Sequence, residues 1–362
     1  MTEVAGQGHT TPATPAAPAG RDGSAAATEP TGQTRVTIAQ VADLAGVSPT
    51  TVSHVLSGKR VVKATTRGTV QEAIRRLGYR PNNVARSLRT RRSHIVAVVL
   101  PDLTNSFYGV LTRGLADAVD QRGYGTYLCN TDGLADRETK FLEDVVDRGA
   151  DGIVLASVDS ASTAALGPAD LGTPVVCVGG SLDHPLIDMV TADDRVGSHA
   201  ATAHLIARGV TRVAMIQGPA TMGTDRVDGF RQAMAAAGLE PDPDLMVEGD
   251  WTRQGGYRAM QELLSQPNAP DSVFCANDLT AIGALEAVRE RGLSVPDDVA
   301  LVGFDDVDAA TIVSPALTTV RNPAYDIGRQ AGELLMSRML GEFKGNGRTV
   351  VLPCPLVPRD SA

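Results

Sequence analysis

Thr50 and His54 stand four residues apart in VSPTTVSHVLSG, residues 47–58. On a helix that spacing places both on one face. A hydroxyl and an imidazole presented together can donate to and accept from base edges in a DNA groove. Ser48 is an N-cap by type, Pro49 suits the first helical position, and a helix start of this kind can hold a phosphate. The surroundings fit a polyanion. Residues 35–92 hold twelve Lys and Arg against Asp43 and Glu72, a net +10, whereas residues 1–34 carry −2 and the 270 residues after Arg92 carry −17 of the chain's overall −9. A small basic module is thus joined to a large acidic one, and a concentrated positive field of this kind attracts nucleic acid.

A second set of chemically able residues follows the apolar runs of the acidic part. Asp102, Asn105, Phe107 and Tyr108 come after the first run, Arg226 opens the segment after Val213–Gln217, and Trp251 is the sole tryptophan. Asn277 and Asp278, Asp305 and Asp306, and Asn322 follow three later runs. Open parallel sheets bind ligands beyond the carboxyl ends of their strands, so these residues converge on one edge. Aromatic faces with amides, carboxylates and one guanidinium suit a polyhydroxylated ligand. For Asp278 and Asp306, capping of the next helix is an equally good reading. Catalysis is poorly served: GxSxG, HExxH, Walker A and post-strand GxGxxG motifs are absent. His199 and His204, five apart, fall on different helix faces and make a poor metal pair.

The elements that must position these groups show two rhythms. Residues 1–34, mostly Ala, Thr, Pro and Gly, cannot bury enough surface to order and are expected to be a disordered tail. Thr37 and Gln40 form a capping box for a first helix that Gly46 ends. Ser48 begins a second helix running to about Leu56, and a third is expected from about Thr66 to Leu77. After Pro81-Asn82, residues 83–90 have a helical pattern only two turns long, too short to stand alone in water. From His94, apolar runs (Ile95–Leu100, Thr126–Cys129, Gly152–Ala156, Val175–Val178, Val213–Gln217, Met246–Val247, Val273–Ala276, Val299–Phe304) alternate with amphipathic stretches. That alternation predicts parallel sheets with crossover helices, and its length favours two doubly wound halves. Hydrophobic content of 43% supports large cores. Cys129, Cys177, Cys275 and Cys354 lie far apart in apolar runs and read as buried reduced thiols. No apolar run reaches the roughly 18 residues of a membrane span and no secretory leader is visible, so a cytoplasmic location is expected.

The stretches VTIAQVADLAGVSPTTVSHVLSG, GYRPNNVARSLRT, PDLTNSFYG, CANDLTAIGALEA and VPDDVALVGFDD resemble the lactose/galactose repressor family of bacterial transcription regulators, from about Val36 to the end. TTVSHV is closest to the purine-repressor branch. The resemblance implies an all-α helix-turn-helix head (35–80), a hinge helix and linker (81–92), and an α/β effector and dimerisation domain (93–362) similar to periplasmic sugar-binding proteins. The first subdomain would hold about 93–191 and 322–349, the second about 192–321 and 350–362. It implies that Ser48, Pro49, Thr50, Thr51 and His54 meet DNA, with Thr50 and His54 on base edges. Asn82, Ala85, Leu88 and Arg89 would act from the hinge, where Leu88 wedges into a minor-groove step and the arginines hold phosphates. It further implies that Asn105, Phe107, Tyr108, Arg226, Trp251, Asn277, Asp305 and Asn322 contact the effector. Purine repressors carry Arg and Thr where Ala220 and Met222 stand, and the lactose repressor carries Asp where Gly179 stands, so neither effector is favoured. The expectation is a cytoplasmic homodimer on a pseudo-palindromic operator, without cofactor, metal or catalytic residues, controlled by a small carbohydrate. The alternatives are a nucleoside or other non-sugar effector, or a sugar receptor with no DNA role.

Overall fold

The computed structural model describes residues 36–58, 60–80, 92–156, 172–180, 184–210, 212–220 and 223–362. The expected tail, and the hinge segment with Asn82, Ala85, Leu88 and Arg89, lie outside them. The chain divides into two units, 1–82 and 83–362.

The described residues of the first unit form three helices. α1 (Ile38–Ala45) has the full capping box: Thr37 Oγ1 accepts from the Gln40 backbone, and Gln40 Oε1 accepts from the Thr37 backbone at 2.8 Å. α2 (Pro49–Ser57) starts with the Thr51 backbone N–H donating to Ser48 Oγ, 3.1 Å, and Pro49 in the first turn. α3 (Ala64–Leu77) begins two residues before the expected Thr66 and has no side-chain cap. Val41, Ala42, Ala45, Val52, Val70 and Ala73 form a small buried centre, with Val47 and Val55 of the second helix packed on it.

The second unit opens with β1 (Ile95–Leu100), α4 (Ser106–Asp120), β2 (Gly125–Asn130), α5 (Ala135–Asp147), β3 (Gly152–Leu155), β4 (Val175–Val178) and β5 (Asp188–Ala192). α6 (Asp194–Ala207), β6 (Val213–Gln217), α7 (Thr224–Ala236), β7 (Met246–Glu248), α8 (Arg253–Ser265), β8 (Ser272–Cys275), α9 (Asp278–Glu290) and β9 (Ala300–Val302) follow. α10 (Ala309–Ile312), β10 (Thr319–Val320), α11 (Ala324–Met339), β11 (Thr349–Leu352) and β12 (Leu356–Val357) complete it. The strands form two parallel sheets, β11-β5-β4-β3-β1-β2 and β7-β6-β8-β9, with β10 and β12 paired antiparallel. The near-continuous apolar strands reflect burial on both faces. In the first lobe α4 and α11 lie against each other because Gly114 and Gly328 carry no side chain. A Cβ at either would come within 2.0 Å of the other helix's carbonyl oxygens, Tyr325 O and Leu111 O.

The chain passes between the lobes after β5, after β10 and after β11. The last passage corrects a boundary. β11 pairs with β5 through Leu352↔Ala192, so the first lobe keeps the chain to Leu352 rather than releasing it at 349. β5 itself is absent from the apolar runs because its first residue is an aspartate. Asp188 is fully buried and takes hydrogen bonds from Arg338 Nε and Nη2 (both 2.7 Å), Arg348 Nη2 (2.6 Å) and the Arg348 backbone (2.8 Å). Burial pushes its pKa up, but the two guanidinium groups outweigh this and hold it below the ordinary carboxylate range. Asp188 thus ties α11 and β11 to β5. Asp188→Ala leaves two paired arginines without their anion and is expected to cost about 3–5 kcal/mol, the range for breaking a buried ion pair, read from urea denaturation midpoints.

Candidate functional site

In the head, the fold turns one side of α2 inward through Val52 and leaves the other out. Ser48, Pro49 and Thr50 are exposed, and Thr51 and His54 are half-buried. The Ser48 hydroxyl lies 2.9 Å from that of Thr51 and accepts from its backbone, so both hydroxyls help close the first turn. Thr50 and His54 sit one turn apart on the same helix.

In the second unit, one cavity of about 750 Å³ is lined by residues from both lobes at the carboxyl ends of their strands. All eight residues expected to contact an effector line it: Asn105, Phe107, Tyr108, Arg226, Trp251, Asn277, Asp305 and Asn322. Asn105 caps α4, accepting from the Phe107 backbone at 3.0 Å, and so sets Phe107 and Tyr108 in the first turn. Their rings meet edge to face, 5.3 Å apart. Across the cavity Trp251 follows β7 in a left-handed backbone conformation, φ 65. Gly218 makes room for its indole, since a Cβ there would lie 2.1 Å from the ring. Asn277 caps α9 through the Thr280 backbone and donates to the Trp251 carbonyl, both at 2.9 Å. Its amide keeps one N–H and one lone pair for other work.

Arg226 is the electrostatic centre. Its guanidinium donates to Asp194 at 2.9 Å and to the Ala276 carbonyl, lies 3.5 Å from Asp305, and faces the Phe304 ring at 3.7 Å. Asp305 also accepts from Asn322 Nδ2 at 3.2 Å. Burial raises the Asp305 pKa to about 6, although Arg226 and Asn322 draw it down. Asn322 Oδ1 and Asp194 Oδ1 are buried oxygens with no protein donor. The wall around Asp305 therefore offers acceptors, which suits a ligand rich in hydroxyl donors.

Asp278 and Asp306 stay outside the cavity lining. Asp278 is buried behind it, accepting from the Val307 backbone at 2.9 Å and from the Thr319 hydroxyl, and burial raises its pKa to about 8. Asp306 pairs with Arg321 and Arg359. Conversely, Asp132, Asp194 and Asp250 line the cavity unanticipated. Each lies just beyond the end of a strand, β2, β5 and β7. The strand-end signal that finds the others extends to Asp132 and Asp250, three residues past their apolar runs, but not to Asp194, because β5 is absent from those runs. Among the described residues no group of three His, Cys, Asp or Glu could hold a metal ion, and no helix is long and apolar enough to cross a membrane.

Comparison with known proteins decides the family. Residues 37–82 match the bacterial regulatory proteins of the lacI family, and residues 202–362 match a periplasmic binding protein-like domain. The ribose operon repressor of Escherichia coli K12 is 36% identical over 322 residues, covering 88% of this chain and 97% of its own. The chain belongs to the lacI family. Catabolite control protein A of Priestia megaterium is 36% identical over 82% of this chain and 90% of its own. Among solved structures, a transcriptional regulator CelR–cellobiose complex superposes with TM-score 0.70 at 34% identity, over 91% of this chain and all of that one. The lac repressor dimer bound to operator and an anti-inducer superposes with TM-score 0.82 at 26% identity, over 90% of this chain and 99% of that one. The family consists of DNA-binding transcription regulators, not enzymes.

Two measurements follow from this cavity. Trp251 is the only tryptophan and lines it, so a bound ligand should change the protein's tryptophan emission, and Trp251→Phe should abolish the signal. A ligand hydroxyl that donates to Asp305 favours the ionised carboxylate and lowers its pKa on binding. Affinity should then be full above a pH of about 6 and fall as the pH drops through that value. Titration calorimetry in buffers of different ionisation enthalpy should detect proton release near that pH, and Asp305→Asn should remove it.

Proposed function

We propose that this chain is a repressor which, as a homodimer in the cytoplasm, binds a pseudo-palindromic operator, and that a small carbohydrate in the interlobe cavity sets its operator affinity. The observation that carries the effector class is the lining: Phe107, Tyr108 and Trp251 around buried acceptors on Asp194, Asp305 and Asn322. Rings pack on the apolar face of a sugar while its hydroxyls satisfy those oxygens. The names of two similar proteins, a ribose operon repressor and a regulator complexed with cellobiose, point the same way.

Control operates as a population shift. A ligand that touches both lobes favours their closed arrangement, and only its differential affinity for the two arrangements can move the equilibrium. The residues entering β1 are well placed to pass such movement on. Asp151 accepts from the backbones of Ser93 (3.2 Å) and His94 (2.7 Å), and Arg92 donates to the Tyr124 hydroxyl and the Met339 carbonyl, both at 3.1 Å. A shift of the first lobe therefore carries Arg92 with it. In this reading Leu88 kinks the operator, and the arrangement of the lobes sets whether it can.

The DNA half is tested by mobility shift on a selected operator. His54→Ala should lose about 1–3 kcal/mol and relax specificity at one position, as expected for one base contact. Leu88→Ala should weaken binding to the specific site more than binding to random DNA. Unchanged operator affinity in both would remove the assigned roles. The effector half is tested by a thermal-shift screen across sugars, nucleosides and sugar phosphates, in which a ligand selective for the folded state raises the melting temperature. A response confined to nucleosides would replace the carbohydrate reading.

A further inference from the structure

We infer that the cavity takes an uncharged sugar and rejects phosphorylated sugars, nucleotides and sugar acids, with Asp102 and Asp132 on the first lobe enforcing that choice. This rests on the carbohydrate reading above and narrows it.

Five carboxylates line the cavity: Asp102, Asp132, Asp194, Asp250 and Asp305. Arg226 is the one Lys or Arg among the described residues of the lining, and it is already held by Asp194, Asp305 and the Ala276 carbonyl. Arg137 and Arg258 pair with Asp132 and Asp250 but do not line the cavity, and they leave its charge negative. Residues 157–171, 181–183, 211 and 221–222, outside the described structure, contain no Lys or Arg. Among the described lining residues a dianionic phosphate would thus meet like charge, with no Lys or Arg besides the already paired Arg226 to receive it.

Backbone donors do not compensate. Helix N-termini are the usual anion sites of such folds. Of the helices that begin at this cavity, four have one backbone donor taken by a side-chain cap: α4 by Asn105, α6 by Asp193, α8 by Thr252 and α9 by Asn277. The uncapped ones, α5, α7 and α11, carry acidic residues in their first turns, Asp136 and Glu138, Asp225, and Asp326, which supply negative charge there themselves. The unpartnered oxygens point to the same choice. Asn322, 7% exposed, and Asp194 each bury an acceptor at this wall, and a hydroxyl can donate to them while a phosphate dianion cannot. Asp250 is kept ionised by its Thr252 and Arg258 partners, which more than offset its partial burial, so the charge persists across the working pH range.

The experiment is a calorimetric titration of the full chain with matched pairs: ribose and ribose 5-phosphate, glucose and glucose 6-phosphate, cellobiose and its phosphate. The expected result is that a neutral sugar binds and its phosphate binds more weakly by about 30-fold or more at low ionic strength, the gap narrowing as salt screens the field. Asp102→Asn with Asp132→Asn should shrink the gap, read as the ratio of the two affinities in the same variant. A phosphorylated member binding as tightly as its neutral partner, or tighter, overturns this inference and leaves the carbohydrate reading standing. A gap unchanged in the double variant removes Asp102 and Asp132 from it. Nucleoside binding with no response to any sugar overturns the carbohydrate reading and this inference with it.

Discussion

A single buried guanidinium organises the cavity. Arg226 leaves the first turn of α7 and reaches the start of α6 through Asp194, the end of β8 through Ala276 and the turn after β9 through Asp305. An isolated charge in this position would be prohibitively costly, so the pairing with two carboxylates and the two aromatic faces of Phe304 and Trp251 is a condition for its burial. The arrangement has two consequences. The elements that form one wall are locked together, and the negative charge that remains is directed into the cavity. Trp251, Asp305 and Asp306 hold positive-φ backbone conformations just beyond β7 and β9, and Asn277 donates to the Trp251 carbonyl.

Three passages of the chain join this wall's lobe to the other. Each lobe has its own buried core, and the antiparallel β10–β12 ribbon belongs to the passages on the second-lobe side. Asp188 and its two arginines fasten β5, α11 and β11, the elements on the first-lobe side of the three passages, into one body.

Charge divides the labour along the chain. The head carries its basic residues on a three-helix unit with a very small core, so its surface serves binding more than its interior serves stability. The second unit is strongly acidic overall, opposite in sign to the head.

Much of this was legible in the residues themselves. The capping box at Thr37 and Gln40, the Ser48-Pro49 helix start and the apolar strands follow from local rules that need no tertiary information, and the structure realises them within a residue or two. All eight predicted cavity residues meet at one site because strand ends of a parallel sheet share an edge, a property of topology that a pattern of apolar runs already implies. What stayed hidden depended on partners distant in the chain. β5 could not be read because Asp188 interrupts its apolar run, and only Arg338 and Arg348, about 150 residues away, make that aspartate a core residue. Asp278 and Asp306 carried the same local signature as Asp305, and their separation into support and lining was decided by Thr319, Val307, Arg321 and Arg359. Local sequence determined the elements and the kinds of chemistry at their ends. The tertiary structure decided which of those charges are spent on holding the fold and which face the cavity, because a charge's role is set by what lies within a few ångströms of it, and those neighbours come from other parts of the chain.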